Sequence, residues 1–250
     1  MYELNEKVAV VTGSSRGIGA AIAVKLAQAG AKVLLVSRTA PEPAVVAALQ
    51  ETGQAFVHFP ADLSRMASIA PVIQAALANF GRLDILVNNA GIIRRAPILE
   101  YSEADWDAVL NTNLKVPFFL AQACARQMLS QGQGGKIINT CSLLSFQGGL
   151  FVPAYTAAKH GLAGITKALA NELASKKINV NGLAPGYIRT ENTAALQTDP
   201  TRNSAIVSRI PQGDWGEAAD IAGAALFLAG AGSDFIHGHI LTVDGGWMGR

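Results

Sequence analysis

The chain has 250 residues, 50% of them hydrophobic and only 15% charged, with a formal net charge of +2. That length can bury a large core, and a nearly balanced charge with no basic tract argues against nucleic-acid binding. No signal peptide precedes the first strand and no apolar run is long enough to span a bilayer, so a cytoplasmic chain with no membrane partner is expected.

Lys7–Thr12 is a short β-branched run that predicts a buried strand. Gly13-Ser14-Ser15-Arg16-Gly17-Ile18-Gly19 follows at once, and Ala20–Ala29 then predicts a helix closed by Gly30. Strand, glycine loop and helix form the context of a phosphate site. Glycines let backbone approach a pyrophosphate, and a helix N-terminus favours its charge. The spacing here is Gly-x-x-x-Gly-x-Gly, a departure from the commoner Gly-x-Gly-x-x-Gly. A strand over Lys32–Ser37 comes next and runs into Arg38 with no acidic residue at its end. An acid there would bind the ribose hydroxyls of NAD. Arg38 can instead pair with a 2′-phosphate, with Ser37 beside it and Arg16 approaching from the glycine loop. The balance favours NADP(H) over NAD; the competing reading stacks Arg38 on adenine and leaves Arg16 in solvent.

Further elements are predicted at Pro43–Glu51 (helix), Ala55–Phe59 (strand), Met66–Phe80 (helix), Asp84–Asn88 (strand) and Glu103–Ser130 (helix). Lys136–Thr140 (strand), Tyr155–Ser175 (helix), Asn179–Ala184 (strand), Glu217–Leu228 (helix) and His239–Val243 (strand) complete the chain. Seven strands alternating with helices imply an α/β, doubly wound Rossmann fold in a single domain over residues 1–250. Its parallel sheet is covered on both faces. Residues 189–212 are polar, contain Pro200 and Pro211, and read as an irregular, mobile flap over a substrate, the alternative being an ordinary surface loop with a short helix. Gly13, Asn89 and Ser142 all fall just after strands, so they are expected to converge on one crevice.

Tyr155 and Lys159 lie four apart on one helix, which stacks a phenol and an ammonium on one face. An ammonium that close favours the phenolate, so the tyrosine can exchange a proton with a carbonyl or an alcohol. Cys124 and Cys141 lack metal or redox spacing and read as reduced core residues, and the scattered histidines suggest no metal site. His160 reads as a helix-surface residue.

Together these motifs resemble the short-chain dehydrogenase/reductase family over nearly the whole chain. Thr12-Gly13-x-x-x-Gly17-x-Gly19 is similar to its cofactor loop, with Ser15, Arg16 and Ile18 inside it, and Asn88-Asn89-Ala90-Gly91 is similar to its motif after the fourth strand. Asp62, with Leu63, matches the position that meets the adenine edge. Pro185-Gly186-Tyr187-Ile188-Arg189-Thr190 matches the segment that clasps the nicotinamide. The resemblance implies a catalytic set of Asn113, Ser142, Tyr155 and Lys159. Tyr155 would be general acid/base, Ser142 would hold the reacting oxygen, and Lys159 would bind the nicotinamide ribose. Asn113 would support a water chain from Lys159 to solvent; its alternative role is a helix kink or a buried hydrogen bond.

Within that family the chain is similar to sugar-acid dehydrogenases of the 2-deoxy-D-gluconate 3-dehydrogenase type, also described as 2-dehydro-3-deoxy-D-gluconate 5-dehydrogenase. Asn89-Ala-Gly-Ile-Ile-Arg94-Arg95, Ser142-Leu-Leu-Ser-Phe-Gln147-Gly-Gly149 and Val243-Asp-Gly-Gly-Trp247 carry the likeness. Gluconate 5-dehydrogenases share the arginine pair, and a ketouronate reductase would keep the same architecture. Arg94 or Arg95 can bind a substrate carboxylate bidentately, or both can be solvated or at a subunit contact. Gln147 and Tyr187 can hydrogen-bond sugar hydroxyls. A 3-oxoacyl-carrier-protein reductase shares every catalytic motif and remains an alternative. A non-catalytic dinucleotide-binding regulator is a third reading, disfavoured because it has no need of the proton machinery. Ala157, Ala158, Gly161, Ala163, Gly164 and Ala168 make the Tyr155–Ser175 helix rich in small residues. With the low charged fraction and the resemblance, they point to a homotetramer.

Overall fold

In the computed structural model, which describes residues 3–249, seven strands pair into one parallel sheet. They are β1 (Val8–Thr12), β2 (Lys32–Ser37), β3 (Phe56–Pro60), β4 (Ile85–Asn88), β5 (Gly135–Thr140), β6 (Ile178–Pro185) and β7 (Ile240–Val243). Their order is β3-β2-β1-β4-β5-β6-β7. The helices are α1 (Gly17–Gln28), α2 (Pro43–Glu51), α3 (Ile69–Phe80), α4 (Glu103–Leu110), α5 (Val116–Gln131), α6 (Pro153–Leu173), α7 (Ala194–Gln197), α8 (Pro200–Val207) and α9 (Ala218–Ala229).

The apolar strand runs follow from burial on both faces. Side chains alternate along β1: Ala9 and Val11 join Ile22 and Leu26 of α1 and Ile221 and Leu228 of α9. Val10 faces the other way, into a layer with Val72 of α3 and Leu120 and Met128 of α5. Each fully buried leucine of this kind contributes about 1.5–3 kcal/mol, so Leu26→Ala is a change that would break the α1 contact.

The sheet grows outward from β1 in one direction and from β4 in the other. That reversal opens a crevice at the carboxyl ends of the strands, between the turns that follow β1 and β4. Among the described residues no helix is long and apolar enough to cross a membrane.

Three local differences from the sequence reading matter for the site. The helix expected over Glu103–Ser130 is interrupted by a π turn at Asn111–Lys115, which carries Asn113. The segment 189–212, expected to be irregular, holds α7 and α8. Asp199 Oδ1 accepts from the amides of Thr201 and Arg202, both at 3.0 Å, and Pro200 fills the first turn of α8. The neck of this segment is closed by a bridge between Ile188 and Gly216, and the Arg189 guanidinium binds Asp214 at 2.7 Å and Glu217 at 3.5 Å. Finally, the small residues of α6 divide between two faces. Ala158 and Ala163 are buried inward, whereas Gly164 and Ala168 are exposed.

Candidate active site

The glycine turn after β1 is built by close approach. Gly13 has φ +63°, a conformation that favours glycine, and a Cβ on Gly19 would sit 2.3 Å from the Gly13 carbonyl oxygen. Thr12 and Asn89 pin this turn to the loop after β4. Thr12 Oγ1 accepts from the amides of Asn89 (2.9 Å) and Ala90 (3.0 Å), and Asn89 Nδ2 donates to the carbonyls of Thr12 (3.0 Å) and Gly13 (3.2 Å). The Ser14 hydroxyl is buried in the turn with no partner among the described residues. No acidic side chain lies in the first turn of α1, and Arg16 at its N-cap makes no side-chain capping bond. A glycine cradle, an orphaned hydroxyl and an uncapped helix start fit a dinucleotide pyrophosphate.

The strand-two end differs in detail from the sequence reading. Ser37, expected to assist Arg38, is buried; its hydroxyl donates to the Thr39 carbonyl at 2.8 Å and also meets His58 Nε2 at 3.1 Å. Arg38 is left as the exposed cation there. Arg16, expected to approach a 2′-phosphate, instead pairs with Glu191, Nε to Oε2 at 2.6 Å. Asp62 lies close enough to Arg38 to feel its charge. Hydrogen bonds from Ser64 hold its carboxyl below the ordinary aspartate value, with Arg38 and Arg65 adding to that. Leu63 beside it is buried.

At the other end of the crevice, Ser142 stands two residues past the end of β5 and caps the short turn Leu143–Ser145. Its Oγ accepts from the Leu144 amide at 3.2 Å, while its own amide donates to Ser145 Oγ at 3.3 Å. Ser145 Oγ donates in turn to the Lys159 carbonyl at 2.8 Å, tying this turn to α6. Lys159 is 4% exposed, and its Nζ donates to the Thr140 carbonyl at 2.5 Å. The same Nζ lies 5.4 Å from the centroid of the Tyr155 ring. The Tyr155 hydroxyl makes no hydrogen bond among the described residues. Asn113 is fully buried: Oδ1 accepts from the Ile92 amide and Nδ2 donates to the Ile92 carbonyl, both at 2.8 Å. The alternative reading of Asn113, a helix irregularity with a buried hydrogen bond, describes its local structure. Ile92 follows Gly91 and packs with Tyr155 around Ala154 and Ala158, so the turn after β4 reaches the tyrosine. The arrangement offers a free phenol over an anchored ammonium, the geometry proton exchange with a carbonyl requires.

Beyond β6, the Gly186 amide donates to the Val243 carbonyl at 2.8 Å, and a Cβ on Gly186 would lie 2.6 Å from Asp244 Cα. Ile188 is buried in the core under α9, so only its backbone is available to a ligand. Thr190 caps the turn Glu191–Thr193 and lies against Gly17, where a Cβ would meet its Cγ2 at 3.8 Å. Pro185 ends β6, paired with Val243.

The substrate candidates part company. Arg94 pairs with Asp105 at 3.3 Å, so its guanidinium already has a carboxylate. Arg95 is exposed and has no ion-pair partner among the described residues. Gln147 Oε1 accepts from Trp247 Nε1 at 3.4 Å. Tyr187 is half-buried, with its ring 5.4 Å from that of Trp215 and 4.7 Å from that of Trp247, and burial pushes its phenol up.

Sequence reasoning overlooked several residues that hold this site. Ser145 stands three after Ser142, the spacing of a capping box, which was a usable signal. Asn88, Asn139 and Thr166 form a buried network, Asn88 Nδ2 to Asn139 Oδ1 at 2.9 Å and Asn139 Nδ2 to Thr166 Oγ1 at 2.9 Å, that joins β4, β5 and α6. No local pattern marks that network, because its members meet only across the sheet.

The profile of the family described as short chain dehydrogenase matches residues 7–201. A 2-dehydro-3-deoxy-D-gluconate 5-dehydrogenase from Escherichia coli (strain K12) is 48% identical over 251 residues, covering all of this chain and 98% of the relative. A solved structure from Agrobacterium tumefaciens with bound NADP is 51% identical with a TM-score of 0.92, covering all of this chain and 99% of that one. A gluconate 5-dehydrogenase from Burkholderia cenocepacia J2315, solved with NADP and tartrate, is 40% identical with a TM-score of 0.92 and covers 100% and 98% of the two chains.

Proposed function

The chain belongs to the short chain dehydrogenase family, and from that premise we propose a nicotinamide-dinucleotide-dependent oxidoreductase that interconverts a secondary alcohol and a ketone on a sugar acid. The substrate is of the 2-keto-3-deoxygluconate, deoxygluconate or ketouronate type. One observation carries the reading: a buried lysine, fixed by the Thr140 carbonyl, sits beside a tyrosine whose hydroxyl has no hydrogen-bond partner among the described residues. The sugar-acid class is supported by full-length relatives named for such activities.

The cofactor, when bound, supplies or accepts the hydride. The glycine turn, Asn89 and the start of α1 hold its pyrophosphate, and Lys159 hydrogen-bonds its nicotinamide ribose. In the reductive direction Tyr155 gives its proton to the carbonyl oxygen, which Ser142 Oγ holds by a hydrogen bond. Lys159 Nζ lies 5.4 Å from the Tyr155 ring centroid, beside the phenol that gives up the proton. Asn113 fixes the Ile92 backbone beside this pair and supports the path by which the proton is replaced from solvent. Oxidation reverses each step.

NADP(H) is preferred over NAD through Arg38, since no acid stands at the end of β2 to bind ribose hydroxyls. The enzyme is a cytoplasmic homotetramer of single-domain subunits, each with residues 189–212 closing over its substrate. The exposed small residues Gly164 and Ala168 of α6 support a close helix–helix contact. The test is turnover by purified protein on sugar acids, ketouronates and an acyl thioester, with both nucleotides, followed by nicotinamide absorbance. Sugar-acid turnover is expected; preference for the acyl thioester would favour a carrier-protein reductase instead.

A further inference from the structure

Arg202 and Ile206 lie four apart on α8, which puts them on one side of it, and Arg209 stands in the turn just past the helix end at Val207. Ile206 sets the direction of that side. It is buried with Leu143, Ile210, Trp215 and Trp247, and Tyr187 packs against the same cluster. Leu143 directly follows Ser142, so this aromatic wall adjoins the residue assigned to the reacting oxygen.

The Arg209 guanidinium carbon lies over the Trp247 ring, 4.0 Å from its centroid, an attractive cation–π contact. The same indole donates to Gln147 on its edge. Arg202 and Arg209 are exposed and have no carboxylate partner among the described residues. Arg16 is paired with Glu191, Arg94 with Asp105, and Arg189 with Asp214 and Glu217, which leaves Arg95 as the competing unpaired guanidinium near the substrate end among the described residues. The charges of Arg209 and Arg202 both reach Tyr187, where they oppose the burial that raises its phenol.

We infer that Arg209, held over Trp247 and assisted by Arg202, binds the carboxylate of the substrate, with Tyr187 and Gln147 reading the adjacent hydroxyls. This rests on the sugar-acid reading above and moves its carboxylate site from the Arg94-Arg95 pair to the segment beyond β6. A guanidinium over an indole can still offer two parallel hydrogen bonds to a carboxylate. Because both cations lie within residues 189–212, a bound acid also draws that segment onto the substrate.

The test compares wild type, Arg209→Ala, Arg209→Lys, Arg202→Ala and Arg95→Ala on a keto sugar acid and on a neutral ketose of the same length. Direct binding of gluconate to the protein–NADP complex is measured by calorimetry alongside. Arg209→Ala is expected to lower kcat/KM for the acid roughly ten- to hundred-fold and to weaken gluconate binding similarly, with little change on the neutral ketose. Arg209→Lys should recover only part of the loss, and Arg202→Ala should show a smaller one. Equal losses on acid and ketose, or an acid-specific loss in Arg95→Ala with none in Arg209→Ala, would overturn the assignment while leaving the sugar-acid reading intact. Wild-type protein that neither turns over nor binds any sugar acid would overturn both.

Discussion

Arg16 and Glu191 form an ion pair at 2.6 Å that links the glycine turn to the first turn of the segment beyond β6. Both side chains are more than half exposed, at 55% and 65%. Such a pair contributes at most about 1 kcal/mol to stability. Its importance lies in what it denies: an arginine positioned for an anion of the cofactor is held by a carboxylate of the same chain. Glu191→Gln is therefore expected to tighten NADPH binding a few-fold and leave NADH unchanged, read by fluorescence titration. Equal gains for both nucleotides would place Arg16 at the pyrophosphate, and no gain for either would show that the pair and the cofactor do not compete.

Tyr155→Phe keeps the ring that packs around Ala154 and Ala158 and removes only the hydroxyl. Turnover should fall by roughly two to four orders of magnitude, the scale of general acid/base help. Nucleotide affinity should change little. Near-normal turnover would remove Tyr155 from the proton role.

Arg38 is the exposed cation at the end of β2, with the Ser37 hydroxyl committed to Thr39. Arg38→Asp supplies the acid that ribose hydroxyls require and removes the phosphate partner. The ratio of kcat/KM with NADPH to that with NADH should drop at least ten-fold. A wild type that already prefers NADH would contradict the proposal at the outset.

Gly164 and Ala168 lie on the exposed side of α6, and apart from its own stretch of helix no atom of the described residues lies within 4 Å of a Cβ placed on Gly164. In a subunit that buries this face against a second copy, that space is filled by the neighbour. Light scattering at micromolar concentration is expected to give the mass of four chains, and Gly164→Arg to lower it. A monomeric wild type would rule out the contact.

Burial pushes the Cys124 thiol far up and raises that of Cys141 too, the latter against the opposing charge of Lys159 and hydrogen bonds from Ser145 and Thr166. The thiolate is the reactive form. At neutral pH the native protein should resist a disulfide reagent and release both thiols only after denaturant. Fast labelling of folded protein would mean that Cys141, next to Ser142, is open to the crevice.

The parallel sheet was legible because strands buried on both faces leave continuous apolar runs, as in Val8–Val11 and Val33–Val36. The crevice was legible for a related reason: Gly13, Asn89 and Ser142 each stand just past a strand end. Features that depend on distant contacts were not. Arg16 reads as a free cation in sequence, and Glu191 becomes its partner only once the chain returns past β6. The contact of the Ser37 hydroxyl with the Thr39 carbonyl and with His58 of β3 is equally invisible in the sequence. The segment 189–212 was misread for another reason: its polarity and prolines look irregular, yet Asp199 followed by Pro200 is a helix start. Its apolar side chains, Ile206 and Ile210 with Leu196 and Val207 beside them, are too few and too unevenly spaced to show a periodicity.

The π turn at Asn111–Lys115 holds one residue more than an α turn, and one residue of helix corresponds to about 100° of rotation. That extra residue sets the phase between α4, which packs on α6, and α5, which packs on the sheet. It also delivers Asn113 to the Ile92 backbone. Chain length is therefore as strictly constrained here as side-chain identity. Losing one residue anywhere in 111–115 would allow a regular, better-bonded helix and would turn Asn113 away or swing α5 out of register, with every other side chain of the site unchanged.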